Sequence, residues 1–205
     1  LDILGELAPE LVTSVAGQLN AARLPALRAV ILLDETATAG TRSWQQLAAL
    51  GDAAALAQLH VLEPELGFDD PVNIQFTSGT TGTPKGATPT HQNIINNGWF
   101  IGEAMRLTEQ DRLCIPVPFY HCFGMVLGNL ACVTHGACMV IPGEGFDPLA
   151  TLETVAAERC TGLHGVPTMF IAELEHPRFA EFDLSSLRTG IMAGSPCPIE
   201  VMRRV

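Results

Sequence analysis

Between residues 113 and 205, short apolar runs of strand length alternate with stretches of helical spacing. Residues 113–117, 137–141, 163–166 and 188–193 read as strands. Residues 124–133 read as a buried helix, and Asp147-Pro148 supplies an N-cap followed by a proline at the first helical position. Pro167 opens another helix, and a last one starts near Pro198. A strand, a helix and a further strand in succession need a crossover connection, and crossovers build parallel sheets with helices on their faces. The fold class expected is therefore α/β, with a mainly parallel sheet flanked by helices.

The chain has 205 residues, 47% of them hydrophobic and 16% charged, which is enough apolar material for a core. Residues 113–143 carry no Asp, Glu, Lys or Arg. That length would cross a bilayer, but Pro116, Pro118, Gly124, Gly128, His121, Asn129 and His135 interrupt it. Strand, loop, buried helix and strand are expected there, and no transmembrane span. A net charge of −11 disfavours a nucleic-acid partner. No two of the six cysteines (114, 122, 132, 138, 160 and 197) have Cys-x-x-Cys spacing. No metal site is expected from them; buried free thiols in a reducing, cytoplasmic compartment are.

Upstream, Leu4, Leu7, Leu11 and Val15 predict a helix within residues 1–19. Residues 29–33 predict a short buried strand, 44–50 and 53–59 short helices, and 63–71 an acidic surface connection. Residues 72–76 alternate as a strand. Thr90 is an N-cap for a helix with Ile94, Ile95, Gly98, Trp99, Gly102 and Met105 on one broad face.

Directly after the 72–76 strand comes Thr77-Ser78-Gly79-Thr80-Thr81-Gly82-Thr83-Pro84-Lys85-Gly86. Glycines let backbone N–H groups approach an anion, the hydroxyls donate hydrogen bonds, and a lysine adds a point charge. Lys85 is the sole lysine among eleven basic residues. A Walker A loop would end Gly-Lys-Ser/Thr; here Pro84 precedes the lysine and Gly86 comes after it, so an ordinary P-loop nucleotidase is not expected. On composition alone, a solvent-exposed Gly/Thr turn is the alternative.

Residues 76–86 resemble the signature of the adenylate-forming (AMP-binding) superfamily, eleven consecutive positions in all. Thr90-His91-x-Asn93 is similar to the pattern that the family carries just downstream of that signature. Pro118-Phe119-Tyr120-His121-Cys122-Phe123-Gly124-Met125 resembles the P-x-x-H-x-x-G segment of the CoA-ligase branch. Gly165-Val166-Pro167-Thr168 resembles a substrate-pocket strand end, and residues 190–196 resemble the segment that lies against the adenine. Together they look most like medium-chain fatty acyl-CoA synthetases. The resemblance implies an internal fragment of a large N-terminal domain. Residues 1–70 would be a partial N-terminal subdomain segment, residues 71–205 the central part of the AMP-binding domain with its phosphate loop, and the C-terminal lid domain would be absent.

The implied activity is ATP-dependent carboxylate activation, with an acyl-adenylate formed first and a thioester to CoA second. By resemblance Thr77, Ser78, Gly79, Thr80, Thr81, Gly82 and Lys85 hold the β- and γ-phosphates, and Gly194, Ser195 and Pro196 pack near the adenine. His121 and Lys85 are the implied catalytic residues. His121, Gly124, Met125, Gly165 and Val166 are the implied substrate pocket, the glycines leaving room for an apolar chain. His164 is a further candidate for that pocket, and His135 reads as structural. No acid stands in the His121 segment to hold an amino group, so a fatty acid is expected rather than an amino acid. The parent enzyme would use ATP, Mg2+ and CoA. The acid that helps bind Mg2+, the ribose-binding aspartate and the lid lysine would lie outside these residues, so the fragment alone is expected to be inactive and to self-associate. Two alternatives stay open: an adenylate-forming enzyme that passes its acyl group to a carrier protein, and a non-catalytic nucleotide-binding module.

Overall fold

The structure, a computed structural model, describes residues 1–77 and 82–205. It divides into two compact units, Leu1–Leu66 and Gly67–Val205.

In the first unit, helix α1 (Asp2–Leu7) is followed by a 3-10 turn, Pro9–Thr13. The helix predicted within residues 1–19 therefore stops after six residues. Ala8 leaves the helical region at φ −138°, and Pro9 has no N–H with which to continue the ladder. Strands β1 (Ile31–Leu32) and β2 (Arg42–Ser43) pair in parallel. The strand predicted over residues 29–33 is not buried as a whole, since Val30 points into the core while Leu33 is exposed. Ala8, Leu11, Leu19, Ala21 and Val30 make this unit's small core. Helix α2 (Trp44–Ala48) starts at a capping box between Ser43 and Gln46. Helix α3 (Ala53–Leu62) is capped by Asp52 and buries none of its residues.

In the second unit, β3 (Gln75–Phe76) and β4 (Gly86–Ala87) form an antiparallel hairpin. The strand predicted over residues 72–76 shortens to two residues. Val72 donates to the Pro89 carbonyl at 3.1 Å, but Pro89 has no N–H to return the bond, so the ladder breaks. Helix α4 (His91–Met105) begins at the expected Thr90, in a capping box with Asn93. Then come β5 (Arg112–Cys114), a π-helix (Phe123–Leu130) running into α5 (Ala131–His135), β6 (Cys138–Val140), α6 (Pro148–Ala157), β7 (Gly162–Gly165), α7 (Pro167–Leu174), β8 (Thr189–Met192) and α8 (Ile199–Arg204). The four strands β6-β5-β7-β8 are all parallel, which is the α/β sheet expected.

Side chains alternate across a strand, and this chain uses the alternation to serve two helix layers. Leu113, Ile115 and Val117 join Met105, Phe123, Ala131 and Cys132 from α4, the π-helix and α5. Cys114 joins Val155, Phe170 and Val201 from α6, α7 and α8. The buried face of α4 is narrower than predicted: Gly98, Gly102 and Met105 are buried, whereas Ile95 and Trp99 are exposed. The cause is close approach. A Cβ on Gly98 would sit 2.7 Å from Leu130 Cβ, and one on Gly102 would overlap the His135 ring. Cys114, Cys132 and Cys160 are buried, but Cys122 and Cys138 are exposed, because one lies in a loop and the other on the edge strand β6.

One ion pair, its acid buried and its arginine half-exposed, ties the amino ends of β5, β7 and β8 together. Asp111, 4% exposed, accepts from Arg188 Nε at 3.1 Å and Nη2 at 2.6 Å, from Thr161 Oγ1 at 2.6 Å and from the Thr108 backbone at 2.8 Å. Arg188 also donates to the carbonyls of Met105 at 3.1 Å and Arg106 at 2.7 Å, at the end of α4. Burial by itself would raise the Asp111 pKa; the hydrogen bonds from Arg188, Thr161 and Thr108 outweigh it and bring the carboxyl to about 2.

Candidate active site

Because β5, β7 and β8 run parallel, their carboxyl ends share one edge, which is where open α/β sheets place their ligand crevices. Phe119 after β5, Val166 after β7 and Ala193 after β8 pack against the same core cluster. Ala193 N–H donates to the Gly165 carbonyl at 3.3 Å. Gly194 stands at φ +90°, and a Cβ there would lie 3.1 Å from Val166 Cγ1. The predicted segments 165–166 and 194–196 are thus neighbours, with Gly194, Ser195 and Pro196 exposed.

His121 sits in the loop between β5 and the π-helix, with its side chain exposed. Its N–H donates to the Pro118 carbonyl at 3.2 Å, and the Phe123 N–H donates to its Nδ1 at 3.1 Å. With Nδ1 accepting, the neutral ring carries its proton on Nε2 and can offer it outward. Tyr120 beside it is 85% exposed, so the histidine is not packed into the core between Tyr120 and Phe123.

The Gly/Thr segment connects β3 to β4 in the sequence. Thr77 N–H donates to the Lys85 carbonyl at 2.9 Å, and Lys85 N–H donates to Thr77 Oγ1 at 3.2 Å, which extends the pairing of β3 with β4. Gly82 and Lys85 are exposed, while Ser78, Gly79, Thr80 and Thr81 lie outside the described residues. The stem reaches the His121 segment: Gln75 Nε2 donates to the Tyr120 carbonyl at 3.3 Å, and Asn73 Nδ2 stands 3.9 Å from Met125 Sδ. Neither Gln75 nor Asn73 was marked by sequence reasoning. Both are half-buried, whereas Ile74 and Phe76 on the other face of the same run are exposed, so the alternation marks the two positions but not the side they face.

The glycines near the predicted substrate pocket are closely packed. A Cβ on Gly124 would overlap the Pro118 carbonyl, one on Gly128 would lie 3.0 Å from Ile115, and one on Gly165 would lie 3.0 Å from the Phe170 ring. A side chain at any of these positions would meet the protein's own atoms. A cleft of about 310 Å³ does open at this edge, lined among others by Pro118, Phe119, Tyr120, Ile141, Phe146 and Met169. None of His121, Gly124, Met125, Gly165 and Val166 lines that cleft.

His164 is fully buried, with Nε2 3.0 Å from the Leu127 carbonyl and Nδ1 3.2 Å from the Ile191 N–H. Burial holds its pKa below the ordinary histidine range. With both ring nitrogens engaged by backbone, it is a packing residue and not a pocket residue. His135, stacked near Trp99 at 4.9 Å between ring centroids and 3.2 Å from Glu103 Oε1, is structural as expected. Among the described residues, no group of three or more His, Cys, Asp or Glu could hold a metal ion, and no helix is long and apolar enough to cross a membrane.

A family model described as "AMP-binding enzyme" matches residues 7–205. YngI of Bacillus subtilis is 54% identical over 204 residues, covering 100% of this chain and 37% of the relative. The mitochondrial medium-chain acyl-CoA ligase ACSF2 of Danio rerio is 46% identical over 208 residues, covering 100% of this chain and 34% of the relative. The chain therefore spans about a third of the length of the curated relatives it matches. Among solved structures, ATP-bound MatB from Rhodopseudomonas palustris superposes with a TM-score of 0.61 at 33% identity, over 67% of this chain and 27% of that one.

Proposed function

The chain belongs to the AMP-binding enzyme family, and from that premise we propose that the protein carrying it activates a carboxylate with ATP and passes the acyl group to CoA. The single observation that carries this reading is the junction of two segments. The stem of the hairpin that ends in Lys85 is hydrogen-bonded to the segment that ends in His121, at the carboxyl edge of the sheet. Anion-binding and acyl-handling residues would then act side by side on one nucleotide.

In this reading the Lys85 ammonium, with Thr77, Ser78, Gly79, Thr80, Thr81 and Gly82, neutralises the β- and γ-phosphates as pyrophosphate leaves. His121, its Nδ1 engaged by the Phe123 N–H, turns an Nε2 proton towards the oxygen that develops charge as the carboxylate attacks the α-phosphate. Gly194, Ser195 and Pro196 offer exposed backbone beside Val166 for the flat face of the adenine. Mg2+ would arrive with the nucleotide and neutralise its phosphates. CoA is the proposed acceptor and a fatty acid the proposed acid. The apolar cleft of Phe119, Ile141, Phe146 and Met169 supports an apolar substrate.

The proposal extends to the isolated 205 residues, which would not turn over alone and would self-associate through apolar surface such as Leu56, Leu59, Val61 and Leu62 of α3. The proposed location is the cytoplasm, a reducing compartment, supported by six unpaired cysteines. Carboxylate-dependent ATP–pyrophosphate exchange by the intact polypeptide tests the function. Exchange with medium-chain fatty acids is expected; absence of exchange with fatty, aryl and amino acids alike would return the chain to a non-catalytic nucleotide-binding role.

A further inference from the structure

On the opposite face of the sheet from the π-helix, Glu173 is an acid without an obvious purpose. It lies on α7, is 3% exposed, and its Oε1 has no hydrogen-bond partner among the described residues. It lines a cavity of about 240 Å³ whose other walls include Leu152, Val155, Phe170, Leu184 and Arg204. Burial pushes its carboxyl up to about 8. A buried carboxylate is costly unless it is paired.

The charged surroundings narrow the choice of partner. From α6 and the segment 179–187, the cavity receives apolar side chains only, while the nearby Glu153, Glu181 and Asp183 are engaged by Arg178 or Arg159. From the sheet, the Cys114 thiol is pushed up by its interaction with Cys160 and by burial, so it stays protonated. From α8 comes Arg204, exposed and in no ion pair among the described residues, yet lining the same cavity as Glu173. It is the one basic side chain among the residues that line this cavity.

We propose that Glu173 and Arg204 form a latch across this cavity, the Arg204 guanidinium swinging in to pair with the Glu173 carboxylate and drawing α8 onto α7. Glu173 and Arg204 are then positioning residues. Helix α7 starts directly after Val166, and α8 starts after the 194–196 turn, so the latch sets the spacing between a segment assigned to the acyl substrate and the one assigned to the adenine. That last step rests on the function proposed above; the latch itself does not.

The test is a double-mutant cycle on the intact polypeptide, read by thermal midpoint at pH 6 and pH 9.5. At pH 6, below the value to which burial raises the Glu173 carboxyl, Arg204→Met is expected to move the midpoint little. At pH 9.5 it is expected to lower the midpoint by several degrees, about 3 °C. In a Glu173→Gln background, Arg204→Met should do nothing at either pH; Glu173→Leu, which fills the cavity, serves the same purpose if the glutamine variant does not fold. An equal shift at both pH values, or the same shift without the acid, overturns the latch. For the positioning role, Arg204→Met should raise the KM for ATP at pH 9.5 several-fold with kcat little changed, and Arg204→Lys should restore it. A positive thermal cycle with an unmoved KM overturns the positioning role alone. A wild-type protein without any pyrophosphate exchange fails the functional reading and leaves the thermal cycle to decide the latch.

Discussion

Replacing Asp111 by asparagine keeps the shape of the side chain and removes the charge that Arg188 grips. The structure sets the scale of the loss. An environment that lowers a carboxyl from 3.8 to about 2 favours the ionised folded form, and at about 1.4 kcal/mol per pKa unit the effect is about 2 kcal/mol. The Asp111 side chain is only 5% exposed, so solvent screens little of this, although Arg188 is 41% exposed and holds the value below that of a fully buried pair. Because the folded-state pKa is the lower one, the stabilisation is complete above the unfolded value and is lost as pH falls through about 2. Urea denaturation of wild type and Asp111→Asn should therefore show a gap of about 2 kcal/mol at pH 7 that closes between about pH 4 and pH 2. A gap below about 0.5 kcal/mol at pH 7, the level of an ordinary surface substitution, would refute the reasoning. So would a gap that persists unchanged to pH 2.

Gly102→Ala should destabilise by about 1–3 kcal/mol, because its Cβ would overlap the His135 ring; thermal denaturation reads this, and adding His135→Ala should recover most of the loss. Lys85→Ala, at an exposed position, should leave stability within about 0.5 kcal/mol. It should slow pyrophosphate exchange by roughly tenfold to a hundredfold, the value of one charged hydrogen bond.

The order and type of the elements in residues 113–205 were readable from periodicity, because each strand is a short apolar run between polar punctuation. Asp147-Pro148 and Thr90 marked helix starts correctly, since a cap is a local interaction of three or four residues. What escaped was set by contacts distant in sequence. Ile95 and Trp99 have the right spacing for the buried face of α4, yet the helix approaches its neighbour so closely at Gly98 and Gly102 that only a narrow stripe is covered. The close approach of the Pro118 carbonyl to Gly124 was hidden for the same reason, since what folds against a glycine is not written in its neighbours. The Lys85 and His121 segments carried their own local signatures, but the hydrogen bond from Gln75 that joins them spans 45 residues and has no local trace.

His164 carries a consequence for observation. The Ile191 N–H fixes its Nδ1 as an acceptor, and the Leu127 carbonyl takes the proton on Nε2. One imidazole therefore rivets the π-helix to β8 in a single tautomer, sealed from solvent. Its Nε2 proton should exchange slowly enough with water to give a resolved magnetic-resonance line. That line is a native gauge, placed beneath the sheet edge that gathers His121, Val166 and Gly194, of whether those loops are assembled in a given variant or state.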